Sequence, residues 1–466
     1  MRPQLQGGRG DVMSLKLTFL GAVGTVTGSR YLLEMGARRL LIDCGLFHGY
    51  KQLRLRNWVP PPVVPAKLDG IILTHAHIDH SGYIPRLVKE GFAGPVFCSS
   101  ATLELCRILL PDSGHLQEED AKFANRHGFS KHHPALPLYT MQEAEECLTR
   151  FRVAKVGQRW EPVDGVSAEF RSAGHILGAT FVRLEYQGVS ITFSGDLGRP
   201  NDALMRAPAA PAPTDYLVIE STYGDRRHPP IDAQTELGGW LRRALARNGV
   251  IVIPTFAVGR AQALLLHIAR LKDRGLLADV PVFLDSPMAV DATTLYGVFR
   301  AEHRLDDAEC RRMCGAATLV NAADQSKALD SRTGPMIILS ASGMATGGRV
   351  LHHLKAFLGD ARNLVLFAGF QEPGTRGAAL LAGAPFLRIH GQEFEVRAEV
   401  GQLEASSAHA DADELLAWMG QIRPPPRQVF VTHGEPAAAD ALRQRIEHEY
   451  RWPAVVPEYR EVMELD

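Results

Sequence analysis

The sequence predicts an α/β protein, and two patterns carry that prediction. The first is a set of short β-branched runs that each end on an ionisable residue. "RRLLIDCG" ends at Asp43, "GIILTHAH" reaches His75, "SITFSGDLG" ends at Asp196, "YLVIESTYG" at Glu220 and "QVFVTHGE" at His433. Their length and β-branched content are those of buried strands. Open α/β sheets gather functional groups beyond strand ends, where loops leave an already rigid scaffold. One polar strand end carries no information; five predict a shared site.

The second pattern lies between Glu220 and His433. "VIVIPTFAVGRAQALLLHIARLKDRG", "PVFLDSPMA", "PMIILSASGMATGGRVLHHL" and "NLVLFAGFQEPGTRGAALL" alternate apolar strand, Gly- or Pro-bearing loop and helix. That is the βα rhythm of a parallel sheet. It predicts a second α/β domain, 223–387, inserted into a discontinuous first domain made of 15–222 and 388–466. Residues 1–14 carry charge but no apolar core, so they read as a disordered tail and not as a secretory signal.

At 466 residues the chain is long enough for two or three domains. Its 45% hydrophobic and 22% charged residues are ordinary for a globular protein. No apolar run approaches the roughly 18–20 residues of a membrane helix, so the expectation is a cytoplasmic protein with no membrane partner. A net charge of −1 argues against a general nucleic-acid coat protein and leaves room for an enzyme with a local positive cleft. The six cysteines contain no CxxC pair, which predicts buried free thiols in a reducing compartment. Cys310 and Cys314 stand at helical spacing, but no second pair completes a tetrahedral site.

The chemistry concentrates in "LTHAHIDHSG", where His75, His77, Asp79 and His80 fall within six positions. In an extended segment, side chains two apart share a side, whereas neighbours on a helix lie three and four apart. His75 and His77 can therefore reach one ion together, and Asp79 and His80, past the next turn, can reach another. This differs from the single-zinc HExxH helix. Imidazole and carboxylate donors without thiolate suit a hydrolytic centre with an open position. Isolated histidines such as His267, His352 and His353 read instead as satisfied polar side chains.

HxHxDH with a later His and Asp resembles the metallo-β-lactamase superfamily, and the fuller pattern resembles its β-CASP branch of nucleic-acid nucleases. Asp43 matches the first motif, His75-x-His77-x-Asp79-His80 the second, His175 in "SAGHILGA" the third and Asp196 in "FSGDLG" the fourth. Glu220 in "VIESTYG", His409 in "SSAHAD" and His433 in "VTHGE" match the branch's own motifs A, B and C. The match runs from about residue 15 over nearly the whole chain.

The resemblance implies an αββα sandwich of two sheets carrying an inserted α/β β-CASP domain. It implies two Zn²⁺ per chain, with Mn²⁺ as a substitute. His75, His77 and His175 would hold one ion, and Asp79, His80 and His433 the other. Asp196 would bridge them, and Asp43 would orient the ligand loop by hydrogen bonds. Two zinc ions against Asp79 and Asp196 leave a charge of +2, which a hydroxide nucleophile and one phosphodiester would neutralise. Asp79 thus counts among the catalytic residues as well as the ligands. His409, paired with Glu220, would protonate the leaving 3′-oxygen, because a carboxylate partner keeps an imidazole charged near neutral pH.

Two loops of the insert, in "SASGMATGGRVLHHL" and "GFQEPGTRGAALL", run from strand through small residues into helix. Such loops bring backbone N–H groups to a phosphate, although glycines also serve tight turns and neither loop is a Walker A motif. Because the resemblance implies that the insert clamps the substrate over the metals, Arg260, Ser342, Gly343, Arg349, Thr375 and Arg376 are the expected RNA contacts. The clusters "DRRH", "RRALAR" and "RLKDRG" read as solvated faces.

The resulting expectation is a zinc-dependent ribonuclease acting on single-stranded RNA in processing or decay. A DNA-directed β-CASP nuclease is the nearest alternative, but its motif C is typically not histidine, so His433 favours RNA. A small-molecule metallo-hydrolase leaves the large insertion unexplained. A non-catalytic binding subunit would have lost ligands, and none is lost here. Neither KH-type modules before the core nor a long domain after His433 are expected. Endo- versus 5′-exonuclease action and homodimer formation are left open.

Overall fold

The computed structural model describes residues 15–128, 130–277 and 279–466. The expected tail, 1–14, lies outside the described residues.

Two seven-stranded sheets face each other. The first runs, in spatial order, Val462–Leu465, Leu15–Phe19, Tyr31–Met35, Arg38–Ile42, Gly70–Ile72, Val96–Cys98 and Phe151–Val153. The second runs Ala454–Val455, Gln428–Val431, Tyr216–Ile219, Val189–Phe193, Thr180–Tyr186, Val166–Ser172 and Arg159–Val163. Alternation along the antiparallel strands, as in "YLLEM" and "VSAEFRS", turns every second side chain inward. Leu17, Leu33 and Leu40 from one sheet meet Val182, Leu184 and Ile191 from the other in one buried cluster. Phe19 packs on Phe430 at 5.3 Å, and Tyr31 on Phe193 at 5.6 Å, between ring centroids. Each such side chain contributes roughly 1.5–3 kcal/mol on burial. Helices cover both outer faces. The helix Ser100–His127 contacts the strand Phe151–Val153, and Pro436–Arg445 contacts Gln428–Val431. Trp418, on the helix Ala412–Met419, meets Phe181 edge to face. This is the αββα layering the resemblance implied.

A third sheet of six strands, all parallel, runs Thr318–Val320, Val282–Asp285, Met336–Ser340, Val250–Pro254, Leu364–Phe367 and Glu399–Gln402. Its central strands "VIVIP" and "MIILS" are buried throughout, as expected of a parallel sheet covered on both faces. The expected boundary at 387/388 cuts a small hairpin, Phe386–Ile389 with Gln392–Glu395. Beyond it, Glu399–Gln402 still pairs with Leu364–Phe367. On strand pairing we therefore place the return to the sandwich after Gln402. From there the chain adds Gln428–Val431 to one sheet and Val462–Leu465 to the other.

All six cysteines are free, and five are buried. Among the described residues no helix is long and apolar enough to cross a membrane.

His353 lies in the insert, fully buried, with Nε2 2.7 Å from Asp285 Oδ2 and Nδ1 2.7 Å from Asp330 Oδ1. Arg349 donates to the other Asp285 oxygen and Ser326 to the same one as His353. Burial alone would depress His353, but the bonds to Asp285 and Asp330 outweigh it and hold its pKa above the ordinary value. A raised folded-state pKa stabilises fully below the unfolded value near 6.5 and loses that contribution as pH rises through the folded value. The melting temperature of the native chain, compared with that of His353→Gln, is expected to lose its advantage over that window. A change of about 2–4 °C is the scale for 1 kcal/mol in a domain of this size. Parallel pH profiles for the two proteins would refute the assignment.

Candidate metal centre

The site begins at Asp43, the first residue past the strand Arg38–Ile42. It sits at φ +55°, in the left-handed region that Asp and Asn tolerate better than most residues. One carboxylate oxygen accepts from Thr74 N at 2.8 Å; the other accepts from Thr74 Oγ1 at 2.9 Å and lies 2.7 Å from His80 Nδ1. That bond commits His80 Nδ1 as donor and leaves Nε2 to face the centre. His77 precedes a one-turn helix, Ile78–Ser81, which turns Asp79 and His80 past the strand end. Ser81 Oγ donates to the carbonyls of Ala76 and His77 and pins the turn.

Four distant segments complete the cluster. His175, Asp196, Glu220 and His433 stand beyond strand ends of the second sheet and its loops. His80 Nε2 lies 3.1 Å from His433 Nε2 and 3.2 Å from Asp196 Oδ1. His77 Nδ1 lies 3.2 Å from His75 Nε2 and 3.3 Å from His175 Nε2. Asp196 Oδ2 is 3.5 Å from His75 Nε2 and 3.6 Å from His175 Nε2. Asp79 Oδ2 is 3.5 Å from His433 Nε2. His75, His77, His175 and Asp196 each bring one donor atom within 4.8 Å of the others, and so do Asp79, His80 and His433. The structure thus gathers the seven expected ligand residues in the two expected sets, with Asp196 touching both. His433 is at φ +49°, a second non-glycine residue held in the left-handed region at this site.

The donor set fits metal ions. His77 Nε2 is buried without a hydrogen-bond partner among the described residues, which a purely structural polar cluster leaves unexplained. Burial pushes the pKa values of His75, His77 and His175 down, His77 to about 3, so these rings are neutral and free to ligate. For His80, burial is outweighed by the carboxylates of Asp196 and Asp43, which hold the pKa up. Asp79 and Asp196 are held well below the carboxylate range despite burial. His433 and His80 are the main cause for both.

His409 stands beside this cluster, its ring 4.5 Å from that of His175. Its Nδ1 lies 3.2 Å from Glu220 Oε2 and 3.3 Å from Oε1. Burial opposes protonation, but Glu220 first and then Asp196 and Asp79 raise the pKa. Glu220 is fixed in turn by Leu197 N, 2.6 Å from Oε1. Asp411 caps the helix Ala412–Met419 in a reciprocal capping box with Glu414. His228 was not foreseen, because "DRRH" read as a solvated cluster. Its Nε2 lies 2.9 Å from the carbonyl of His409, and its backbone N–H donates to Asp411. With Asp411 and Glu414 it forms a further group of three potential donors, which these capping and backbone bonds already explain.

The expected RNA contacts sit differently from one another. Arg260 packs its guanidinium beside Gly369, with Nε buried and unpartnered among the described residues. Ser342 Oγ bonds Thr346. Gly343 lies against Phe256, where a Cβ would meet the ring at 2.8 Å and the backbone N at 2.9 Å. Arg349 turns inward to Asp285 and the carbonyls of Val320 and Asn321. Thr375 caps the helix Arg376–Leu381, and Arg376 binds the carbonyls of Arg388, Ala345 and Thr346. Two further residues were missed. Phe256, 38% exposed, places its ring 6.4 Å from that of His77. Glu372, from the insert, is 2% exposed, with neither carboxyl oxygen partnered among the described residues. Burial, then Asp79 and Glu435, push its pKa up to about 8 against Arg54. Neither residue carries a local signal, since an exposed Phe or a loop Glu is common.

Comparison with known proteins matches this arrangement. A Beta-lactamase superfamily domain covers residues 38–247, a Beta-Casp domain 261–380, and a Zn-dependent metallo-hydrolase RNA specificity domain 393–457. "Ribonuclease TTHA0252" of Thermus thermophilus is 38% identical over 429 residues, spanning 90% of this chain and 93% of that protein. "Transcription termination factor FttA" of Methanocaldococcus jannaschii is 28% identical over 461 residues, 94% of this chain and 70% of that protein. A crystal structure of a protein of unknown function from Enterococcus faecalis superposes with a TM-score of 0.52 at 16% identity, covering 97% of this chain and 100% of that one, which shows a shared fold. With three family domains laid end to end along it and a close full-length relative, the chain belongs to the β-CASP branch of the metallo-β-lactamase superfamily.

Proposed function

We propose that the chain is a ribonuclease that hydrolyses phosphodiester bonds of single-stranded RNA, using two zinc ions. The observation that carries this reading is the pair of ligand sets joined through Asp196, with the His409–Glu220 pair beside them. Relatives named as a ribonuclease and a termination factor support an RNA substrate. His75, His77, His175 and Asp196 would hold one ion, and Asp79, His80, His433 and Asp196 the other. Bound there, the metals would lower the pKa of water and neutralise phosphate charge. Asp43 fixes the His80 ring. Glu220 binds His409 at Nδ1, so the proton on Nε2 is the one available to the leaving 3′-oxygen. Arg260 is the contact we retain for a substrate phosphate, because its buried Nε has no partner among the described residues.

Elemental analysis of the purified protein is expected to give two zinc ions per chain. Chelation should abolish RNA cleavage, and Zn²⁺ or Mn²⁺ should restore it. Background metal with no recovery on add-back contradicts the reading.

His409→Ala is expected to keep both metals and bind RNA while turnover falls by about 10²–10⁴-fold. His433→Ala should weaken the Asp79–His80 set. Metal titration of the two variants separates the roles, and equal metal loss in both would undo the division.

Initial rates on matched strands are expected to rank single-stranded RNA above duplex RNA and single-stranded DNA, with no turnover of a β-lactam. A substrate held where the insert packs beside the centre, as Phe256 does near His77, would enter as one strand more easily than as a duplex, and backbone-directed contacts would give little base selectivity. A clear DNA preference moves the reading to a DNA-directed nuclease.

A further inference from the structure

One aromatic ring of the insert is turned out of the core at the edge of the metal centre. The strand Val250–Pro254 leads through the loop 255–259 into the helix Arg260–Asp273. Ala257 and Val258 of that loop point into the apolar cluster shared with the sandwich. Phe256, just before them, is 38% exposed. Its backbone is fixed, because the carbonyl accepts from Ala261 N and Thr255 Oγ1. Its ring is backed by Gly343 of a second loop, where a Cβ would stand 2.8 and 3.0 Å from two ring carbons. The ring centroid lies 6.4 Å from that of His77, with the planes at 47°.

The centre itself is open to solvent in part. The Asp79 and His409 side chains are 24% and 19% exposed, and His77 is only partly buried. A single exposed apolar side chain is ordinary on a protein surface. Phe256 differs in its place, held between a glycine and a ligand imidazole. A phenyl ring carries no charge and no hydrogen-bonding atom, so it recognises neither a phosphate nor a ribose hydroxyl. Its flat π-face is complementary to a nucleobase. Because the ring is already fixed, stacking on it costs little side-chain entropy. A phosphodiester bound at the ligand imidazoles carries a base on each flanking nucleotide, and Phe256 stands where one of them would lie.

We propose that Phe256 is a substrate-binding residue whose exposed face stacks on the base of one nucleotide flanking the scissile phosphate. This rests on the ribonuclease reading above. The stack holds the strand over the centre and favours a purine at that one position, since the larger base overlaps the ring more fully.

The test places one abasic nucleotide at each position around the cut in a single-stranded RNA. The zinc-loaded full chain is compared with Phe256→Ala, Phe256→Leu and Phe256→Tyr, each assayed for zinc content. The native protein is expected to lose about 5- to 150-fold in kcat/KM at one abasic position, the scale of one base–aromatic stack. Phe256→Ala should lose as much on the intact strand, and the abasic change at that position should then cost it nothing further. Phe256→Tyr keeps a π-face and should restore both the rate and the sensitivity to the missing base. Phe256→Leu, apolar but not flat, should restore neither. If Phe256→Ala does not fold or holds less zinc, Phe256→Leu decides by the same ratio. Losses from the variant and the abasic position that multiply instead of overlapping overturn the proposal, as does indifference of the native protein to every abasic position; the ribonuclease reading then stands. A native protein that cuts no RNA overturns both.

Discussion

The Asp43 carboxylate is the contact on which the catalytic geometry depends. It takes Thr74 N and Oγ1 and His80 Nδ1 together, so one side chain fixes both the strand-end turn and the ring facing Asp196. Without it, His80 could swing or change tautomer, and the nitrogen facing Asp196 and His433 would no longer be defined. The cost is a left-handed backbone at Asp43 and a carboxylate 1% exposed. A buried carboxylate is tolerable only when its lone pairs are filled; here two backbone and hydroxyl donors and an imidazole fill them.

Parallel register then does the gathering. Phe193 lies opposite Val218, and Ile219 opposite Val431, in consecutive parallel pairings. Their strands therefore end at one level, and Asp196, Glu220 and His433 emerge together. In the facing sheet Ile42 lies opposite Ile72 in the same sense, which delivers Asp43 and the His75–His80 segment. Residues more than 350 apart in sequence meet, as His80 and His433 do at 3.1 Å, because strand ends in a parallel pairing are neighbours whatever the loop between them.

This explains how much of the molecule was legible in the sequence. Strand ends are local signals, so the residues that cluster at them and the βα rhythm of the insert could be read directly. The boundary could not, because "EVGQ" at 399–402 is an edge strand, only one of its four residues buried, and lacks the apolar run of its neighbours. Gly-rich loops show where a backbone can turn but not where an arginine will point. Arg349 and Arg376 were expected outside on phosphate, yet bind Asp285 and loop carbonyls. His228 and Glu372 matter through a contact across the fold, with a carbonyl in one case and a glycine surface in the other. Such contacts leave no periodicity to detect.

The insert and the sandwich are joined in two ways, and the chemistry of each join follows from its residues. On the His175 side, Ile176 presses on Gly259, and Leu197, Leu204 and Met205 share one apolar cluster with Val258, Ala261 and Leu264 of the insert. Glu302 and Arg304 add hydrogen bonds across the same face. At Gly49 the join is polar: the Glu372 carboxyl, without partners among the described residues, is set on that glycine, with Tyr50 against Gly374. Apolar area resists separation in proportion to what is buried, whereas an unpartnered acid contributes nothing to holding a seam closed. The insert thus buries apolar area against the sandwich on the side where His409 meets Glu220. The Asp79 carboxylate is 24% exposed.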